Sequence, residues 1–178
     1  HYLHVVKPII QKSVSVQRMV FKRRNSLYRD RTVLVDLDQC LIGETENLNR
    51  LVDLLRANSK CCSFGIATGR RLDSALKLIR QYQLPRPDVL FASLGTEIYY
   101  SPQITKDVAW QDHIDHQWRP NKMRQLLGEV SGLQLQPKTE QSDFKISYYY
   151  DAQTAPAVDF IRHLLLKNET DAQCILSC

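Results

Sequence analysis

Two aspartates, Asp36 and Asp38, stand two positions apart at the end of the apolar run TVLVDLD, Thr32 to Asp38. On a strand that spacing aims both side chains the same way. At the carboxyl end of a buried strand both face the crevice where α/β sheets bind ligands. Carboxylates held so close repel each other unless a cation or a proton intervenes. A hard Mg²⁺, shared between one or two carboxylates, waters and a substrate phosphate, meets that need, with Asp36 and Asp38 as its ligands. One carboxylate is then placed to attack phosphorus, and the other to protonate the departing oxygen. A pair of solvated loop aspartates after a hydrophobic strand is the plainer alternative.

Thr68 adds a second feature, because it ends the next apolar run, CSFGIAT, and is followed by Gly69, Arg70 and Arg71. A hydroxyl beside the opening amides of a helix suits a phosphate, and guanidinium groups bind phosphate or sugar in a bidentate manner. Helix capping is the other common use of a threonine in such a place.

The elements that must position these groups are readable from periodicity. TVLVDLD and CSFGIAT have the continuous apolar character of strands buried in a parallel sheet. Gly43 marks the loop after the first. Between the two strands, Leu48, Leu51, Val52, Leu54 and Leu55 recur at helical spacing, and Leu72, Ala75, Leu76, Ile79 and Tyr82 do so after the second. Pro85 and Pro87 end that second helix, and DVLFAS supplies a third strand. Strand, helix, strand, helix, strand is the rhythm of a doubly wound α/β sheet. Beyond GTEIYY the character changes to a region rich in Trp and His, a helix around Met123 to Val130, and a short strand near Leu133. The loop QPKTEQ, the strand FKISYYY, a helix from Pro156 and the strand QCILS follow, together predicting a small α+β module.

The motif VLVDLDQCLIG and the threonine of IATGRR resemble the first and second motifs of the haloacid dehalogenase superfamily. The segments IATGRRLDSALKL, PDVLFASLGTEIYY, the cluster Trp110, His113, His116 and Trp118, and LQP…EQ…FKISYYYD narrow the resemblance. They are similar to sucrose-phosphate phosphatase and to the phosphatase-like domain of sucrose-phosphate synthase. The resemblance implies a Rossmann-like α/β core with an inserted α+β cap. It also implies a Mg²⁺-dependent phosphatase with Asp36 as nucleophile and Asp38 as general acid and base, with Thr68, Gly69 and Arg70 holding phosphate. The cap would bring Glu97, Glu140, Gln141 and Lys145 to the hydroxyls of sucrose 6-phosphate or sucrose. Three expectations depart from the family pattern. Gln39 and Cys40 replace an Asn and a Thr. The family's later lysine and acidic pair are expected beyond Cys178, as are two further core strands, so the central strand should lack a neighbour on one side. A non-catalytic sugar-binding or regulatory domain of a synthase remains the alternative reading.

Composition bounds the rest. The 178 residues are 43% hydrophobic and 24% charged, normal for a globular domain, and no apolar run is long enough to span a membrane. The total charge is +5, but residues up to Arg31 carry eight basic side chains against Asp30 and so hold +7, leaving −2 for the remainder. The divisions expected are a basic arm or linker over 1–30, irregular or partly helical, the first half of a phosphatase core over 31–101, and a cap over 102–178. A linker following an upstream glycosyltransferase domain accounts for the arm better than nucleic-acid binding, for which no recognition motif is visible. Five cysteines without a C-x-x-C pair argue against a zinc site or disulfide framework and for reduced, largely buried thiols in a cytoplasmic protein. The His113 and His116 pair lacks a third ligand and is expected to be cap structure.

Overall fold

A computed structural model of the chain describes residues 1–7, 31–42, 45–116, 118–170 and 172–177. Gly43 and nearly all of the basic arm lie outside the described residues. In chain order the elements are β1 (Tyr2–Val6), β2 (Arg31–Asp36), α1 (Thr45–Ala57), β3 (Cys62–Ala67), α2 (Leu72–Gln81), β4 (Val89–Ala92) and β5 (Glu97–Tyr100). They continue with β6 (Thr105–Lys106), α3 (Val108–Ile114), α4 (Pro120–Gly128), β7 (Leu133–Leu135), β8 (Lys145–Tyr150), α5 (Val158–Lys167) and β9 (Gln173–Ser177).

They form two sheets. The first has the order β2-β3-β4-β5-β6, with β2, β3 and β4 parallel and the last two strands antiparallel. Its core gathers the apolar faces of α1 and α2 onto the sheet, with Leu37, Phe64, Ile66, Ala75, Ile79 and Leu90 at the centre. This is the α/β core that the alternation of apolar runs predicts. Asp36 pairs in register with Ala67, and this match brings the loop after β2 beside the loop after β3. Among the described residues β2 is an edge strand, and its Leu34 is 52% exposed.

The second sheet is antiparallel, in the order β7-β8-β1-β9, and carries α4 and α5 on one face. Strands alternate their side chains between faces. Leu3 and Val5 therefore join Ile146, Tyr148, Met123, Leu127, Ile161 and Leu165 in a second core, while Tyr2 and His4 point the other way. The segment read as an irregular basic arm is corrected here: Tyr2–Val6 is an internal strand, bonded to β8 on one side and β9 on the other. A limit at residue 101 is also too early, since β6 extends the first sheet to Lys106. The cap sheet is thus made from residues at both ends of the described chain. Cys40 and Cys61 are exposed, against the expectation of buried thiols, while Cys174 is buried.

Candidate active site

Where β2 ends, the chain turns at once into a widened helical turn, Leu37–Leu41, rather than running straight to Asp38. Asp36 therefore closes the strand and Asp38 sits on the turn, with Leu37 and Leu41 driven into the core. The two carboxylates open into the same cleft. Asp36 is exposed, and its carboxylate makes no hydrogen bond or ion pair among the described residues.

Asp38 is held firmly. The Thr68 hydroxyl donates to its Oδ2 at 3.3 Å. Arg70 donates from Nε to Oδ1 and Oδ2 at 2.8 and 3.0 Å, and its second nitrogen lies 2.7 Å from Oδ1. That forked contact raises the Arg70 pKa above its ordinary value, with its hydrogen bond to Asp38 the leading cause. Thr68 is buried and also accepts from the Arg70 backbone amide at 3.1 Å. It is not the helix cap: α2 starts at Leu72, with Arg71 in the cap position and no side-chain cap bond. The expected cradle of fresh helix amides therefore lies a few residues beyond Thr68.

A strained turn supports this loop from below. Ser93, Leu94 and Gly95 all have positive φ, at 52°, 61° and 81°. Only the glycine takes that conformation without steric cost, and the other two spend of the order of 1 kcal/mol or more each. They are held by contacts to the loop after β3, Ser93 N–H to Arg70 O at 2.7 Å and Leu94 N–H to Thr68 O at 3.2 Å. The Leu94 side chain packs so near Gly69 that a methyl group there would lie 3.1 Å from it.

The cap closes over these groups. Lys145 and Glu140 line the cleft of about 930 Å³ that also holds Asp36, Asp38, Gly69 and Arg70. Lys145 is buried and donates to the Gly69 carbonyl at 3.2 Å, a direct cap-to-core bond. Burial pulls its pKa below the ordinary lysine value, and Glu140 works against that change. Arg71 ties the same two parts together by donating to the carbonyls of Lys138 and Thr139 at 3.3 and 3.1 Å.

The four residues expected at the sugar are not brought together. Glu97 and Gln141 line a neighbouring cavity of about 1160 Å³, separate from the aspartates, with Gln136 common to both spaces. Glu97 is buried, accepts from Ser93 Oγ at 3.1 Å and lies 3.4 Å from Lys106 Nζ. The Gln141 amide is committed to backbone: it accepts from Ser147 N–H and donates to the carbonyls of Gln136 and Ser147. Trp110 donates its ring N–H to Gly95 O and stacks at 5.7 Å on His113, so that part of the Trp and His cluster braces the strained turn. No group of three or more His, Cys, Asp or Glu side chains able to hold a metal occurs among the described residues.

Residues missed in the sequence also face the cleft, notably Tyr2, His4, Tyr149 and Ser177. The signal for the first two was the alternation Tyr2, Leu3, His4, Val5, too short to register against a basic segment.

The chain is similar to known proteins in sequence and fold. The family described as Sucrose-6F-phosphate phosphohydrolase matches residues 29–178. Mannosylfructose-phosphate phosphatase of Agrobacterium fabrum is 24% identical over 83% of this chain and 60% of its own length. Probable sucrose-phosphatase 2 of Arabidopsis thaliana is 28% identical over 82% of this chain and 36% of its own. The sucrose-phosphatase of Synechocystis, solved with sucrose and phosphate, superimposes with a TM-score of 0.73 at 29% identity. That match takes in 79% of this chain and 57% of the Synechocystis one. The chain thus spans less than two thirds of each of these relatives. The paired aspartates, the threonine loop facing them and a family match running from the start of β2 through the cap agree with one another. The chain belongs to the sucrose-6F-phosphate phosphohydrolase family, with a haloacid-dehalogenase core and cap.

Proposed function

We propose that the chain carries the nucleophile and sugar-binding half of a phosphatase for sucrose 6-phosphate, yielding sucrose and phosphate. The observation that carries this is one cleft in which Asp36 and Asp38 on the core face Lys145 and Glu140 on the cap. The relatives are named as phosphatases, which favours hydrolysis over the binding-only alternative. Asp36, exposed and with its carboxylate unpaired among the described residues, attacks phosphorus; the sugar oxygen leaves with a proton from Asp38, and an aspartyl-phosphate remains. Water then attacks that phosphorus and gives its proton to Asp38, which releases phosphate, frees the Asp36 carboxylate and leaves Asp38 protonated for the next turnover. Arg70 holds Asp38 as a carboxylate with both oxygens engaged, so one of them must be released before Asp38 carries the proton. Incoming phosphate breaks the long Thr68 to Asp38 hydrogen bond first and takes over the hydroxyl.

Two hard carboxylate donors at one cleft mouth fit Mg²⁺, which would be held by Asp36 and Asp38 and would neutralise charge on the transferring phosphoryl group. Among the described residues no group of three or more His, Cys, Asp or Glu side chains gathers there, so the ion is expected to bind weakly to residues 1–178. A cytoplasmic location and an upstream glycosyltransferase domain accompany this reading.

The test is phosphate release from sucrose 6-phosphate by the 178-residue chain, beside a longer chain carrying a downstream lysine and acidic pair. Each missing preorganised donor costs about 10²–10³ in rate, so the shorter chain should be far slower. In the longer chain Asp36→Asn should abolish turnover without unfolding the protein. Parental turnover by the Asn variant would remove Asp36 as nucleophile.

A further inference from the structure

Strand β1 lies outside the residues that match the family, yet it sits at the centre of the cap sheet with one face toward the cleft. On that face His4 is partly buried between two serines. Its Nδ1 is 3.0 Å from Ser147 Oγ on β8, and its Nε2 is 3.0 Å from Ser177 Oγ on β9. Ser147 is fully buried and donates its single hydroxyl proton to the Glu140 carbonyl at 3.1 Å. A serine hydroxyl has one proton to give, so toward His4 Ser147 can only accept. The imidazole proton therefore resides on Nδ1. In a neutral ring Nε2 then accepts, and the Ser177 hydroxyl must donate to it. The resulting chain has one direction: Ser177 to His4, His4 to Ser147, Ser147 to the Glu140 backbone. Ser177, half-exposed at the cleft, has its proton engaged, and among the described residues no donor reaches its oxygen.

We propose that His4 is a positioning residue of the sugar subsite, which anchors the Glu140 loop through Ser147 and presents Ser177 Oγ as an acceptor for a sugar hydroxyl. The role rests on the sugar-phosphatase reading above and adds β1 to the specificity machinery. Burial, with Lys145 as the lesser cause, lowers the His4 pKa to about 4, which keeps the ring neutral at physiological pH. A neutral ring is required: an imidazolium would donate from both nitrogens, turn the Ser177 proton into the cleft and reverse the polarity offered to the sugar.

The chain of hydrogen bonds is testable without a ligand or a substitution. Long-range proton–nitrogen NMR of histidine-labelled protein should show His4 as a single neutral tautomer protonated on Nδ1. A tautomer protonated on Nε2, or an averaged pair, overturns the assignment whatever the sugar does. Binding tests the rest, with sucrose and inorganic phosphate as the probes. Ser177→Ala and His4→Phe should each weaken sucrose roughly ten-fold, the loss expected for one buried hydrogen bond, and leave phosphate unchanged. His4→Asn, whose amide proton stands near the place of Nδ1–H, should lie closer to the parental affinity than His4→Phe. Unchanged sucrose affinity in both Ser177→Ala and His4→Phe removes the role while the sugar reading stands, as does equal loss for both ligands. Failure of the parental chain to bind sucrose or sucrose 6-phosphate removes the sugar reading itself.

Discussion

Strand β2, which carries the proposed nucleophile, runs along the edge of its sheet and pairs only with β3 among the described residues, whereas β1 lies between β8 and β9 with both sides bonded. The contrast extends to side chains. Leu34 on β2 is 52% exposed, and Leu3 and Val5 on β1 are completely buried. On the core side the Asp36 carboxylate has no partner among the described residues; on the cap side the side chains of His4, Ser147 and Gln141 all have their polar atoms engaged. The difference separates two jobs. A nucleophile needs a free carboxylate at an open position, while a surface that recognises a polyol needs directions fixed beforehand, because an unsatisfied or wandering donor gains little on binding. The cap obtains that rigidity from a strand contributed by residues 2–6.

If β1 is a working part of the cap core, truncating it must cost far more than the same change on the core edge. Leu3→Ala removes a fully buried side chain packed among two helices and two strands, and should destabilise the protein by about 2–5 kcal/mol. Leu34→Ala, on the exposed edge, should stay within roughly 0.5 kcal/mol. Urea denaturation of the two variants measures both. Equal losses would mean that β1 is no better integrated than an edge strand.

A smaller effect separates the two cavities. Glu140→Ala and Lys145→Ala act in the cleft that holds the aspartates and should weaken sucrose by about 1.5–3 kcal/mol, more than they weaken phosphate. Glu97→Gln acts in the adjoining space, where its carboxylate serves Ser93 and Lys106, and should change stability more than sucrose affinity. Calorimetric titration of the three variants with sucrose distinguishes them. A loss at Glu97 equal to that at Glu140 would put both cavities in one sugar site.

The parts of this fold that were legible in the sequence are those where neighbouring residues decide. Apolar runs ending in Asp36 and Thr68 predict adjacent strand ends, and the observed pairing of Asp36 with Ala67 is what such runs produce. The partners of Asp38 were half legible: Thr68 and Arg70 suit phosphate by type and place, but nothing in IATGRR says that the guanidinium will first close on an aspartate. β1 was hidden for a different reason. Its partners lie more than a hundred positions away, as in Tyr2 with Tyr149 and with Ser177, and alternation over five residues is too short a pattern to show it. The turn at Ser93 and Leu94 leaves no composition signal either, since positive φ at a serine and a leucine is imposed by tertiary contacts. Gln141 shows the limit for side chains: an amide suits a sugar and a backbone equally, and only the β8 register decides between them.

The smallest expected effect concerns pH, and it also discriminates between the two regions. In the folded chain His4 titrates at about 4, against about 6.5 for a free imidazole. Above pH 6.5 both folded and unfolded chains carry it neutral, and it adds no pH dependence. As pH falls from 6.5 toward 4, the unfolded chain takes up a proton that the folded chain refuses, so stability is lost over that window and regained as pH rises. Lys145, Glu140, Arg70, Tyr2, Tyr149 and the two aspartates share the cleft with His4. They are present in the parental chain and in His4→Asn alike, so they cancel when the two are compared. A tenfold difference in proton affinity between folded and unfolded chains corresponds to about 1.4 kcal/mol, and solvent in the cleft screens part of it. The differential change in Tm between pH 7 and pH 5 should therefore be about 2–4 °C, with the parental chain losing more. Leu34→Ala, altered at the core edge, should follow the parental curve in parallel. If His4→Asn also ran parallel to the parental chain, His4 would be an ordinary solvated histidine, and the cap would owe its rigidity to packing alone.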